Sequence, residues 1–157
     1  RIEIQIEDLT TMAAQQEKIV VPRNFYLLDE LERAEKGKTH MTISMGLARG
    51  DDVTLSDWQC TILGPDGTGV ENRILSLLVS CGPDYPREPP SVCFQSRVNL
   101  SCVDNKGQVD PRKVNVLRLW NREQPGNIES VLQGLRKEFM APAEKKKQQP
   151  ADGQTYF

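Results

Sequence analysis

Leu27, Leu28, Leu31 and Ala34 recur at helical spacing, with Pro22 and Asn24 as a helix start and Gly37 as its stop. The spacing predicts a first helix of about 12 residues. At ~100° per residue, Phe25 lies about 130° from the centre of that stripe, so the helix cannot bury it in the same core. An aromatic in that position either staples back onto Val20 and Val21 or serves as an anchor for a partner, and the pattern leaves both open.

The period then changes from helical to alternating. Thr42 to Ala48, Trp58 to Leu63 and Arg73 to Val79 read as strands, separated by turns at Gly50-Asp51-Asp52 and Gly64-Pro65-Asp66-Gly67. A shorter strand, Ser91 to Gln95, follows a proline-rich stretch, and the four make an antiparallel meander. Alternation gives Ile43, Met45 and Leu47, then Trp58, Cys60 and Ile62, then Leu75, Leu77 and Val79 to the core face. Ser44 and Thr61 therefore point outward, and so does Ile74, an aliphatic on an otherwise polar face. Single exposed aliphatics are ordinary, so Ile74 has meaning only if it sits beside Ser44 and Thr61.

A loop-rich crossing from Val98 to Gly126 leads to Asn127, which caps a second helix carrying Ile128, Val131, Leu132, Leu135 and Phe139 on one stripe, with Pro142 as its stop. The fold class predicted is α+β, as one domain over residues 19–142. Residues 1–18 read as an N-terminal extension, with Met12-Ala13-Ala14 as a plausible natural start, and residues 143–157 as an extended tail.

Composition narrows the function without supplying one. The chain has 157 residues and a formal charge of −2, which gives no basic footprint for nucleic acid or anionic lipid. No apolar run reaches the ~18 residues of a membrane span, and the alternating isoleucines and acids of Arg1 to Thr11 do not form a secretory signal. The expectation is a soluble protein of the cytoplasm and nucleus, binding other proteins, neither nucleic acid nor membrane. Cys60, Cys81, Cys93 and Cys102 contain no Cys-x-x-Cys pair, and His40 is the only histidine, so neither a zinc site nor any other cofactor is expected. The glycines of Gly64 to Gly69 lack the strand-to-helix context of a phosphate loop, and Asp51, Asp52 and Asp104 lack calcium-loop spacing.

The segment Tyr85-Pro86-Arg87-Glu88-Pro89-Pro90, then Val92-Cys93-Phe94, then Gly107-Gln108-Val109 resembles the core of ubiquitin-conjugating enzymes. Those enzymes place their thioester-forming cysteine at the next residue, which here is Asp110, and Leu100-Ser101-Cys102 stands where they carry His-Pro-Asn. A carboxylate there cannot replace the thiol, since an acyl anhydride hydrolyses readily and nothing nearby activates it. Cys102 is the only thiol in that neighbourhood, and its reactivity would need an electropositive setting from Arg97 and Lys106.

Further motifs sharpen the resemblance. Val21-Pro22-Arg23-Asn24-Phe25, Glu71-Asn72-Arg73-Ile74, Cys81-Gly82-Pro83 and Gly153-Gln154-Thr155-Tyr156 are similar to those of the ubiquitin-conjugating enzyme variants of the DNA-damage-tolerance branch, named for methyl methanesulfonate sensitivity. The resemblance covers about residues 20–156 and implies a ubiquitin-conjugating-enzyme-like fold without the extra C-terminal helices of active enzymes. It implies a non-catalytic subunit that pairs with an active ubiquitin-conjugating enzyme and supports synthesis of signalling, non-degradative polyubiquitin. Phe25 would enter a partner pocket, with Val21, Pro22, Arg23 and Asn24 shaping the contact, and acceptor ubiquitin would lie against Ser44, Thr61 and Ile74. A RING-type ligase would be reached through the partner. Tyr26 and the Pro65 to Val70 turn depart from the family pattern. The alternative reading is the peptide- or ubiquitin-binding variant domain used in endosomal sorting, which shares the fold and also lacks the cysteine.

Overall fold

The computed structural model describes residues 22–157. Helix α1 runs Arg23–Glu35. Gly37 closes it at φ 68°, with the Lys38 amide returning to the Arg33 carbonyl at 2.8 Å. Its buried face is Leu27, Glu30, Leu31 and Ala34, the i, i+3, i+4, i+7 template of a core-facing helix. Leu28, expected on the stripe, is 48% exposed, and Glu30 fills the core-facing turn in its stead. The corrected face turns Phe25 about 170° from the core, further out than the leucines alone implied.

Strands β1 (Ile43–Leu47), β2 (Asp57–Leu63), β3 (Ile74–Ser80) and β4 (Ser91–Phe94) form one antiparallel sheet in the order β1-β2-β3-β4. All the residues assigned inward in β2 and β3 are buried, as are Ile43 and Met45 of β1, while Leu47 is partly buried against the same core. A 3₁₀ turn, Pro111–Lys113, and a short helix α2, Asn115–Arg118, interrupt the crossing from Val98 to Gly126, which carries no helical or alternating period in the sequence. Helix α3, Ile128–Glu138, then buries Ile128, Val131, Leu132 and Leu135. The Phe139 ring meets Phe94 edge-on, their centroids 6.2 Å apart. Asn127 and Ser130 cap α3 reciprocally: each side chain accepts the other's backbone amide. The helix ends before Pro142, which opens a further helical turn, α4 (Pro142–Lys145), instead of simply stopping α3.

The segment after α4 docks on the domain. The Arg97 amide donates to Gln154 O and the Tyr156 amide to Gln95 O, making a bridge between Ser96 and Thr155. The Tyr156 hydroxyl donates to Val98 O at 3.0 Å, and the Arg97 guanidinium lies 4.8 Å above its ring. Gly107, at φ 90°, permits this contact, because a Cβ there would stand 2.4 Å from Phe94 O and 2.8 Å from the Tyr156 ring.

Candidate interaction surfaces and the degenerate catalytic position

Arg23 fixes the N-terminus of α1 from within. Its guanidinium donates to the carbonyls of Gly82, Thr54 and Cys81 and to the Ser56 hydroxyl, at 2.6–2.9 Å. It also holds Asn24 Oδ1 at 2.9 Å. These bonds tie α1 to the β1–β2 loop and to the chain just beyond β3. The loop is itself ordered by Asp52, whose carboxylate accepts from the amides of Thr54, Ser56 and Asp57 and from the Thr54 hydroxyl. Phe25 stands on this clamped turn, 62% exposed, with Leu28 one turn further along. Burying a phenyl ring contributes about 1.5–3 kcal/mol, so one held in water on a braced helix end is an unspent contact. The staple against Val20 and Val21 involves residues outside those described, as does Val21 as a site residue. Pro22 is exposed at the helix start, where its carbonyl accepts the Phe25 amide at 3.0 Å.

The second surface lies at the opposite end of β3. Ser44 pairs with Thr61 and Thr61 with Ser76 across the three strands, and Ile74 pairs with Leu63 in the adjoining row. The sheet therefore sets Ile74 diagonal to Thr61 on the same outward face, within reach of a shared contact. Ile74 is 69% exposed beside the half-exposed Leu63. The sequence reading missed Leu63 because it ends the strand, where alternation is weakest evidence of facing.

At the third position, chemistry is missing. The Asp110 carboxylate accepts the Arg112 amide at 3.0 Å, capping the 3₁₀ turn, and pairs with the Arg112 guanidinium at 3.3 Å. The Arg112 side chain holds Asp110 below the ordinary carboxylate range, leaving an ionised cap. The Asp110 amide donates to Cys102 O at 2.8 Å, so the eight-residue gap in sequence closes and the two backbones lie side by side. Cys102 is nonetheless only 4% exposed, and burial first, then Glu138, pushes its thiol up to about 12. Ser101 is engaged as well: its amide and hydroxyl donate to Glu144 at 2.9 and 2.6 Å. A depression of about 380 Å³ lies between residues 101–104 and 108–113. Incubation with activating enzyme, ATP and ubiquitin should yield no thiol-sensitive adduct on this chain, and Cys102→Ala should leave that result unchanged; an adduct lost in the variant would overturn it.

Sequence reasoning also missed Glu30, 5% exposed. Its carboxyl accepts the Ile128 amide at 2.7 Å and the Tyr85 hydroxyl at 2.6 Å, joining α1 to the N-terminus of α3 and to the tyrosine of the Tyr-Pro motif. Glu30 completes the i, i+3, i+4, i+7 template with Leu27, Leu31 and Ala34, but a charged residue there does not read as core-facing from the sequence. His40 is exposed, with its ring nitrogen 2.7 Å from the Thr42 hydroxyl. Among the described residues no group of three or more His, Cys, Asp or Glu is arranged to hold a metal, and no helix is long and apolar enough to cross a membrane.

The ubiquitin-conjugating enzyme family model matches residues 27–156. The ubiquitin-conjugating enzyme spm2 of Schizosaccharomyces pombe is 49% identical over 87% of this chain and 98% of its own. The ubiquitin-conjugating enzyme variant MMS2 of Saccharomyces cerevisiae is 48% identical over 87% and 98%, and the E2 variant 1B of Arabidopsis thaliana 46% over 90% and 89%. In three dimensions the chain is similar to human ubiquitin-conjugating enzyme E2 G1, with a TM-score of 0.65 at 25% identity, over 78% of this chain and 99% of that one. The chain belongs to the ubiquitin-conjugating enzyme family and, with an ionised aspartate where the thioester cysteine would stand, to its non-catalytic variants.

Proposed function

We propose that this chain is the non-catalytic half of a ubiquitin-conjugating heterodimer, binding an active enzyme through Pro22, Arg23, Asn24 and Phe25, with Val21 before them, and holding acceptor ubiquitin against Ser44, Thr61 and Ile74. The observation that carries it is the exposed Phe25 on a helix end braced by Arg23, in a chain whose Cys102 thiol is buried. The product is signalling-type, non-degradative polyubiquitin, in DNA-damage tolerance, in the nucleus and cytoplasm. The names of the variant relatives support the ubiquitin-conjugating part of this reading. A RING-type ligase is engaged through the partner.

The mechanism is positional. A contact between ubiquitin and one small sheet face is worth about −4 to −5 kcal/mol, near millimolar affinity. Held on the heterodimer, the acceptor presents one lysine to the partner's thioester and turns the others away. Orientation of that kind contributes several kcal/mol toward the barrier without an acid or base from this chain.

The test is reconstitution with activating enzyme, ATP and a panel of active conjugating enzymes, with linkage identified by mass spectrometry. One enzyme should make free chains of a single linkage only when this protein is added. If none does, the peptide-binding reading takes precedence. Ile74→Ala should slow chain synthesis by roughly the ten-fold that a 1–2 kcal/mol contact carries, while leaving the heterodimer intact on size-exclusion chromatography. Loss of the dimer would assign Ile74 to the other interface.

A further inference from the structure

The docked C-terminal segment borders Ile74. Residues 151–155 form one side of a cleft whose other side is Arg73, Ile74, Leu75, Ser76, Ser96 and Arg97. The segment is held there by backbone bonds: Arg97 N to Gln154 O at 2.8 Å, Tyr156 N to Gln95 O at 3.0 Å, and Gln154 N to Ala151 O at 3.3 Å. Arg73, the residue before Ile74, secures the near end by donating to Pro150 O at 2.5 Å. Further back, Gln149 and Asn99 bond reciprocally, the Asn99 amide to Gln149 Oε1 at 2.7 Å and Gln149 Nε2 to Asn99 O at 2.9 Å. The wall is thus fixed in advance, while its side chains at 151–155 remain exposed.

The cleft has a volume of about 210 Å³. That is below the roughly 300–1,000 Å³ of small-molecule sites and suits one or two side chains of a folded partner. Exposed, apolar Ile74 lines it together with Asp152 and Arg97, the apolar-and-polar mixture of a protein contact. It is also continuous with the Ser44, Thr61 and Ile74 face, since Ile74 belongs to both. We infer that Ala151, Asp152, Gly153, Gln154 and Thr155 are a second wall of the acceptor-ubiquitin site, so that acceptor ubiquitin seats a surface loop or side chain between the C-terminal segment and Ile74. This inference rests on the acceptor role proposed for that sheet face. The segment adds geometric constraint: a ligand gripped on two sides of Ile74 has less freedom to rotate than one resting on a flat sheet.

The test is an NMR titration of unlabelled ubiquitin into the nitrogen-15-labelled full chain, with Ala151→Arg as the variant. Ala151 is exposed and accepts the Gln154 amide through its backbone carbonyl, so the long side chain obstructs the cleft and leaves the docking bonds in place. Amide shifts should move at Ser44, Thr61 and Ile74 and also at Asp152, Gly153, Gln154 and Thr155. Ala151→Arg should weaken ubiquitin binding about five-fold or more with the heterodimer unaffected. Shifts confined to the sheet face, with the 152–155 amides unmoved, would overturn the second wall and leave the acceptor role standing. Unmoved Ser44, Thr61 and Ile74 would overturn the acceptor role, and the second wall with it.

Discussion

Phe25→Ala should weaken association with the active conjugating enzyme by about 2–4 kcal/mol, roughly 30- to 1,000-fold in Kd, with no loss of thermal stability. The two halves of that expectation have one cause. Phe25 is 62% exposed and faces away from the core, so truncating it takes nothing from the packed core of the domain. In a complex the same ring would be desolvated at the centre of the contact, where aromatic anchors concentrate binding energy. Arg23 would make such an anchor effective: its bonds to Cys81, Gly82, Thr54 and Ser56 fix the turn before association, so little ordering cost would remain. Calorimetric titration against the purified partner, beside a melting curve of the free chain, reads both halves. Unchanged affinity would remove Phe25 from the interface, and a lowered Tm would make it a structural residue.

Glu30→Gln should change how stability depends on pH. Burial is the dominant influence on this carboxyl and raises it to about 7, against the opposing pull of the Tyr85 hydroxyl, the Ile128 and Glu129 amides and Arg33. A carboxyl raised in the folded state contributes its full stability below the unfolded value of 4.5, where both states are protonated. Between pH 4.5 and about 7 the unfolded chain ionises Glu30 and the folded chain does not, so stability falls as pH rises and levels off above about 7. The span corresponds to about 3 kcal/mol. Glutamine keeps an acceptor for the Ile128 amide and does not titrate. The difference in urea-unfolding free energy between variant and wild type should therefore shift by about 3 kcal/mol in favour of the variant from pH 4.5 to 8. Taking the difference cancels carboxylates with the opposite dependence, such as Asp52, lowered to about 2 chiefly by its hydrogen bond from Thr54. A difference that stays flat with pH would show that Glu30 is ionised in the folded chain.

These two residues show where the sequence was readable. Phe25 was legible because it breaks a pattern: an aromatic outside the helical stripe has to be explained. Glu30 was not, because a glutamate in a helix reads as solvent-facing until the N-terminus of α3, 98 residues away in sequence, supplies an amide to satisfy it. Strand faces were legible because alternation is local; Ser44, Thr61 and Ile74 were assigned outward from it alone, while their adjacency required the register that pairs Thr61 with Ser76 and Leu63 with Ile74. The proximity of Cys102 to Asp110 and the docking of residues 149–156 depend on contacts distant in sequence and left no periodic trace. The lost catalysis was legible from residue identity, and the burial of Cys102 supplies the physical reason that this thiol does not replace it.

Strand β3 joins the two proposed interfaces: Ile74 opens it, and the Cys81 carbonyl held by Arg23 lies just past Ser80. Seven residues of extended chain span roughly 23 Å, well beyond the distance over which substitutions usually couple. The free-energy losses of Phe25→Ala and Ile74→Ala should accordingly add, and bound ubiquitin should not change the affinity for the enzyme. Such a protein acts as a ruler: a stiff spacer sets the local concentration of one ligand relative to the other by its length, and a change in that length would alter which acceptor atom arrives without altering either affinity.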